Sequence, residues 1–553
     1  MNKKFSFLLV LVLALSTFLA ACSGGGEKAG SDTKKGSSEG KSADAKKEQV
    51  LNLIATSEIP SMDSTLATDS VSFNVMNNVY EGLYRLGQDN EPTLGMAAEE
   101  PKVSEDGKTY TFKLRDAKWS NGDAVTANDF VFSWRRAVDP ATAAEYAYML
   151  YDVKGAEEIN SGKAKPDTLG IKAIDEKTLE ITLKNNIPYF KSLLSFATFY
   201  PQNEKFFKEQ GKNYALEANT GVYNGPFTLS DWKHEQSFQL KKNPTYWDNA
   251  AVKLETINFN IVKDTATAVN LYETKKADRA ALNAEFVDKY KSDKNFGTSP
   301  DTSVYFLRLN EKNKVLANRD ARKALDLAWD KKSFVDVILN NGSKPAYYLV
   351  PDKFAVGPDG KDFRETNGDL GKLDVEEAKK LWAKAKKEAK FDKVTLEMLN
   401  YDDDNSAKIS QYLKEQLESN LEGLTVNIKP QPFKQKLDLE SKGNYDFSFA
   451  GWGPDYQDPM TFIDMFVTDG AHNQMGYSNP KYDKLVADAK GPLLSDLDAR
   501  WKALLEAEKI LMDDAAISPM YQRGTAFLQR EYVKGIVEHP FGGDFGYKWA
   551  HIE

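Results

Sequence analysis

The sequence predicts a mixed α/β protein built on more than one sheet. Three observations carry this expectation. Short runs alternate apolar and polar residues with the period of two that a half-buried strand needs, and other stretches repeat apolar residues every three or four positions, as a helix face does. The two kinds are interleaved with no fixed repeat across 553 residues, which speaks against a solenoid. At roughly 100–200 residues per domain, that length predicts three or four packed units. The composition is 41% hydrophobic and 28% charged, as in an ordinary globular protein, and the formal charge of −9 gives no electrostatic reason for a nucleic-acid partner.

In chain order, residues 1–21 place Lys3 and Lys4 before an apolar run from Phe7 to Leu15 and end in small residues. This is the order of an export signal, and the apolar run falls short of the roughly 20 residues of a spanning helix. Cys22 is the only cysteine, so the chain can form neither an internal disulfide nor a thiolate metal cage. Leu19-Ala20-Ala21-Cys22 resembles the bacterial lipoprotein box, in which the thiol receives a diacylglycerol and the chain is cut just before it. That resemblance implies a mature chain beginning at Cys22, with a charge of −11 once Lys3 and Lys4 are lost, held to the outer face of a membrane by acyl chains. Residues 22–49 read as a tether. From Ser23 to Gln49 there is no Val, Ile, Leu, Met or aromatic residue, too little apolar surface to offset chain entropy. A flexible coil of this length spans on the order of 30 Å.

The text then changes. Val50 to Ala55 reads as a buried strand, followed by turn signals at Ile59-Pro60-Ser61-Met62-Asp63. Thr109 to Leu114 alternates after the turn Glu105-Asp106-Gly107, Leu179 to Leu183 repeats the pattern, and Ile257 to Val262 supplies another strand. Asp374 caps a helix with Val375, Ala378, Leu381 and Trp382 on one face. Asn444 to Trp452 is strand-like and runs into Gly453-Pro454-Asp455, which must turn. Asp498 to Met512 carries Trp501, Leu504, Ala507 and Leu511 at helical spacing.

Catalytic readings find little support. His234, His472, His539 and His551 are not at ligand spacing from one another, so a transition-metal site is not expected. No nucleophile elbow, Walker A loop or dinucleotide fingerprint is present. Asp402-Asp403-Asp404 lacks the glycine and terminal glutamate of a calcium loop and reads as a solvated turn. Recognition chemistry is better supplied, by 25 Tyr, 30 Phe and 9 Trp, several in turn-like text, among them Trp119, Trp232, Tyr246, Trp247, Trp452 and Tyr456.

Several blocks together carry a resemblance. These are Asp106 to Arg115, Lys118-Trp119-Ser120-Asn121-Gly122-Asp123 with its continuation to Arg136, Asn224 to Leu229, Asn243 to Trp247, and Gly451-Trp452-Gly453-Pro454-Asp455-Tyr456-Gln457-Asp458-Pro459. From about Val50 to the C-terminus they resemble, in consistent order, the bacterial extracytoplasmic solute-binding proteins of the peptide and nickel transport family, and within it the oligopeptide-binding lipoproteins of peptide ABC importers. The resemblance implies a two-lobed, periplasmic-binding-protein-like fold of three structural domains around a hinged cleft. Residues 50–80, 202–306 and 520–553 would form a discontinuous domain I, 81–201 an inserted domain II, and 307–519 domain III.

An acid at a strand end beside Trp and Tyr can accept a charge-assisted hydrogen bond from an ammonium group. The resemblance gives Asp455 that role, receiving the peptide's α-amino group. It further implies main-chain pairing near Gly451, Trp452 and Gly453, a clamp from Thr68, Asp69 and Ser70, and a pocket wall at Tyr146, a place Tyr148 would take under a small register error. Where the best-known oligopeptide binder has an arginine and a cysteine around its Gly-Trp pair, this chain has Phe449 and Gly453. Phe449 would favour contact with a side chain or a longer ligand over a carboxylate clamp. The expected function is capture of oligopeptides outside the cell for an ABC importer, by a monomer with no cofactor and no catalysis. The alternatives are a receptor of the same family for dipeptides, signalling peptides or a nickel chelate, and a lipid-anchored extracellular hydrolase.

Overall fold

Leu51 and Leu53 share one face of the strand Val50–Ala55 and are buried there, while Val50, Asn52 and Ile54 on the other face are half-buried. It pairs in parallel with Thr256–Ile261, and Ser237–Lys242 and Phe227–Lys233 complete a four-stranded sheet. A parallel pair needs a crossover, and the intervening chain supplies one that holds a second sheet. Its order is Lys102–Val103, Thr109–Lys113, Thr178–Thr182 and Ile171–Asp175, antiparallel throughout. The computed structural model describes residues 47–553; the expected export signal 1–21, Cys22 and most of the expected tether 22–49 lie outside the described residues.

The third sheet has seven strands. Arg279–Leu282, Ile517–Gln529, Phe296–Leu309, Phe447–Trp452, Val394–Tyr401 and Leu424–Gln431 follow one another, with Lys344–Pro345 beside Ile517–Gln529. Two long members, Phe296–Leu309 and Ile517–Gln529, run across positions 306/307 and 519/520, and their register shifts between Pro300 and Val304 and between Tyr305 and Phe306. One large core gathers the first two sheets and their helices, together with part of the chain beyond residue 349, while a second core packs the third sheet against its own helices. The result is a mixed α/β body of two lobes facing one cavity.

The helices start where side chains can cap them. Asp374 accepts from the Glu377 amide at 3.1 Å and opens Val375–Glu388, which buries Ala378, Trp382 and Ala385 with Leu381 at the margin. Asp496 caps Leu497–Asp513, slightly earlier than the pattern from Asp498 indicated; Leu504, Ala507 and Leu511 are buried there and Trp501 sits half-buried on Phe363. The Asp402-Asp403-Asp404 run is a helix start rather than only a solvated turn. Asp403 accepts from the Ser406 amide at 2.9 Å and its hydroxyl at 2.6 Å to cap Asp404–Asn420, and Asp402 pairs with Lys263. No described helix is long and apolar enough to cross a membrane.

Candidate functional site

The cavity between the lobes has a volume of about 730 Å³, within the range of small-molecule and peptide sites. Thr68, Asp69, Ser70, Tyr146, Phe449, Gly451, Trp452, Gly453 and Asp455 all line it, so the structure brings together every expected binding residue. Tyr148 is not part of that lining; its ring packs behind Tyr146 at 5.8 Å.

The strand Phe447–Trp452 builds one wall. On one side it pairs with Phe296–Leu309 as far as Trp452 opposite Val304. On the other side its pairing with Val394–Tyr401 stops at Ser448. Phe449 to Gly453 therefore present an edge with no β partner among the described residues, along the cavity. Glycine is required at one point of this wall, where a Cβ on Gly451 would come within 2.7 Å of the Tyr305 ring; at Gly453 a Cβ would meet Ser303 Oγ at 3.0 Å, a tight contact that a small turn of the hydroxyl relieves. Phe449 packs among the rings of Tyr305, Tyr401 and Tyr521 in an aromatic cluster.

Asp455 follows this strand through Gly453-Pro454. Its amide donates to Thr461 Oγ1 at 3.0 Å, which fixes the turn, and the Tyr146 hydroxyl reaches Oδ1 at 3.4 Å. Oδ2 is buried and has no partner. Burial pushes the carboxyl well above the usual carboxylate range, and the nearby Asp464 carboxylate raises it further, against the weaker pull of Tyr146. A cationic group placed here would supply both the missing hydrogen bond and the missing counter-charge. Tyr146 is itself held by Trp452, stacked at 6.3 Å, and by His472, edge-on at 4.9 Å. Burial lowers His472 to about 3, so that ring stays neutral. Trp452 Nε1 also lacks an acceptor.

Across the cavity, Asp69 caps the helix Ser70–Val79. Its oxygens accept from the Ser72 amide at 2.8 Å and hydroxyl at 2.7 Å, and burial raises it to about 6. Both oxygens of Asp69 are thus engaged by the start of the helix that follows it.

A second polar cluster has no marker in the sequence. Arg523 Nε donates to Asp301 Oδ2 at 2.5 Å and Nη2 to Asp544 Oδ2 at 3.0 Å, joining three distant segments on the cavity wall. Arg308 also lines the cavity. No spacing rule links such positions, because only the sheet order brings them together. Among the described residues no group of three His, Cys, Asp or Glu side chains is arranged to hold a metal.

The raised Asp455 carboxyl has a consequence for stability. The folded, ligand-free protein binds this proton more tightly than the unfolded chain does, so stability falls as pH rises from the unfolded value near 4 toward the raised folded one. Asp455→Asn is therefore expected to raise the Tm of the ligand-free protein at neutral pH and to change it little near about pH 3, where both side chains are neutral. Scanning calorimetry across pH checks this; an equal Tm shift at both ends would refute it.

Residues 91–474 match the family described as "Bacterial extracellular solute-binding proteins, family 5 Middle". The dipeptide-binding protein DppE of Bacillus subtilis is 38% identical over 542 residues, covering 98% of this chain and 97% of that one. The substrate-binding domain of an oligopeptide ABC transporter from Bacillus anthracis superposes with a TM-score of 0.90 at 49% identity, covering 91% of this chain and 99% of its own. Listeria monocytogenes OppA bound to peptide gives 0.88 at 47%, with coverage of 91% and 99%. A family match over most of the chain and near-complete coverage of relatives above 30% identity lead to one conclusion: the chain belongs to the family-5 bacterial extracellular solute-binding proteins.

Proposed function

We propose that this protein is a peptide receptor that captures oligopeptides between its lobes and delivers them to the permease subunits of an ABC importer. The observation that carries this reading is the buried, unpartnered carboxylate oxygen of Asp455 at the end of a free strand edge. The α-amino group meets Asp455, and the peptide main chain adds to the edge at Gly451, Trp452 and Gly453. Thr68 and Ser70 contact the other side, with Tyr146 and Phe449 as apolar walls. Main-chain pairing gives affinity without reading side chains, which suits varied cargo. Relatives described as dipeptide-binding and as bound to peptide support the substrate class.

The protein binds its cargo without catalysing a reaction and works as a monomer. Its lipid anchor is Cys22, after removal of the signal 1–21, and residues 22–49 tether the body to the outer face of the membrane. Domain I comprises 50–80, 202–306 and 520–553, domain II 81–201, and domain III 307–519. The hinge is the pair of strands crossing 306/307 and 519/520; the register shifts close by, between Pro300 and Val304 and between Tyr305 and Phe306, support this reading.

Mass spectrometry of protein incubated with a peptide mixture tests the reading. The expected result is a retained set of intact peptides. Time-dependent truncation of added peptide would replace the receptor by a hydrolase.

A further inference from the structure

Five arginines are buried, and four of them face an acid. Arg500 makes two bonds to Asp458, at 2.8 and 2.7 Å, Arg364 contacts Glu508, Arg85 lies 3.2 Å from Glu81, and Arg322 lies 3.2 Å from Glu311. Arg308 is the exception. It is 4% exposed and lines the cavity. Its Nη1 donates to the His472 carbonyl at 3.0 Å and to Gln474 Oε1 at 2.9 Å, both neutral acceptors, and its Nε has none. Among the described residues no carboxylate oxygen lies within 4.0 Å of this guanidinium.

The neighbouring acids are committed elsewhere. Glu440 accepts from Lys436 Nζ at 2.7 Å and from Ser448 Oγ at 2.6 Å, so its charge is matched. Glu145 accepts from Ser441 at 3.1 Å, and burial raises its carboxyl, which weakens it as a counter-ion. Taking an arginine out of water without an anion is unfavourable. A charge held in this state on a cavity wall is matched when an anionic group enters the cavity.

We propose that Arg308 is a specificity subsite that takes the acidic side chain of a bound peptide. This rests on the peptide-binding reading of the cavity. Arg308 pairs across the sheet with Ser448, as Val304 does with Trp452, so all four side chains share one face. A peptide added to the Phe449 to Gly453 edge lies in the plane of the sheet, with its side chains alternating above and below. Arg308 therefore meets a side chain rather than the end of the main chain. With the amino terminus at Asp455 and a rise of about 3.3 Å per residue, the level of Ser448 is reached at roughly the third to fifth peptide residue.

Calorimetric titration of the full chain with alanine pentapeptides decides the matter. Each carries Glu or Gln at one of the positions two to five, with a free or amidated C-terminus. At one position from three to five, Glu is expected to bind tighter than Gln by about tenfold or more. The ratio should survive amidation, fall to near one in Arg308→Gln, and be partly kept in Arg308→Lys. Because it is a ratio, it holds even where a variant weakens every peptide; should the variants fail to fold, the unmodified protein still decides on the Glu preference. Binding of all peptides without a Glu preference, a preference lost on amidation, or one that persists in Arg308→Gln would overturn the subsite and leave the receptor reading intact. No binding of any peptide would overturn both.

Discussion

Asp455→Ala is expected to weaken binding of a peptide with a free amino terminus by about 30-fold to several thousand-fold. Breaking a buried, hydrogen-bonded charge pair costs about 2–5 kcal/mol, much of it the price of leaving the other charge unpaired. Here that other charge is the ligand's ammonium. It would sit against Tyr146, Trp452 and His472, none of which is charged at neutral pH, with Asp464 engaged by Lys490 at 3.0 Å. Acetylating the peptide's amino group should cost a similar factor in the unmodified protein and little more in the variant. Titration calorimetry of the four combinations measures the coupling directly. A large loss on mutation with indifference to acetylation would contradict the role given to Asp455.

The second large effect concerns the scaffold. Glu508 is 0% exposed on the helix Leu497–Asp513. One oxygen accepts from the amides of Leu349 at 3.0 Å and Val350 at 2.9 Å; the other accepts from Arg364 and, at 2.7 Å, from Asn367. One carboxylate thus pins a long irregular segment to the helix. Glu508→Ala strands a buried guanidinium and two amides, and is expected to destabilise the protein by at least about 3–5 kcal/mol in urea unfolding. Glu508→Gln keeps an acceptor for the amides and should cost less. Equal losses for the two variants would show that the charge on Glu508 is what holds the segment.

The strands and helices were legible where one face is buried and the other wet. Tyr110 and Phe112, or Ala378 and Trp382, announce their elements through spacing alone. The Asp403 cap was missed because three consecutive acids read as solvated charge, although Ser406 three residues on is the partner that turns an aspartate into a cap. Asp455 could be placed at a strand end from its local text, whereas its orphaned oxygen depends on burial contributed by residues from both lobes. Arg308 was invisible for a different reason. Its significance lies in which acids fail to reach it, and that depends on sheet order rather than on any neighbour in sequence.

The two strands proposed as the hinge also limit how the molecule can be divided. Excising 307–519 would cut Phe296–Leu309 and Ile517–Gln529 in mid-strand, parting Phe306 from Pro519 in one ladder and Val304, Tyr305 and Phe306 from Trp452, Gly451 and Ala450 in the next. The fragment would carry a raw sheet edge, an invitation to self-association. This lobe is therefore not a transplantable module: recombination or engineering that exchanges it must take both crossing strands whole, and with them part of the opposite wall of the cleft.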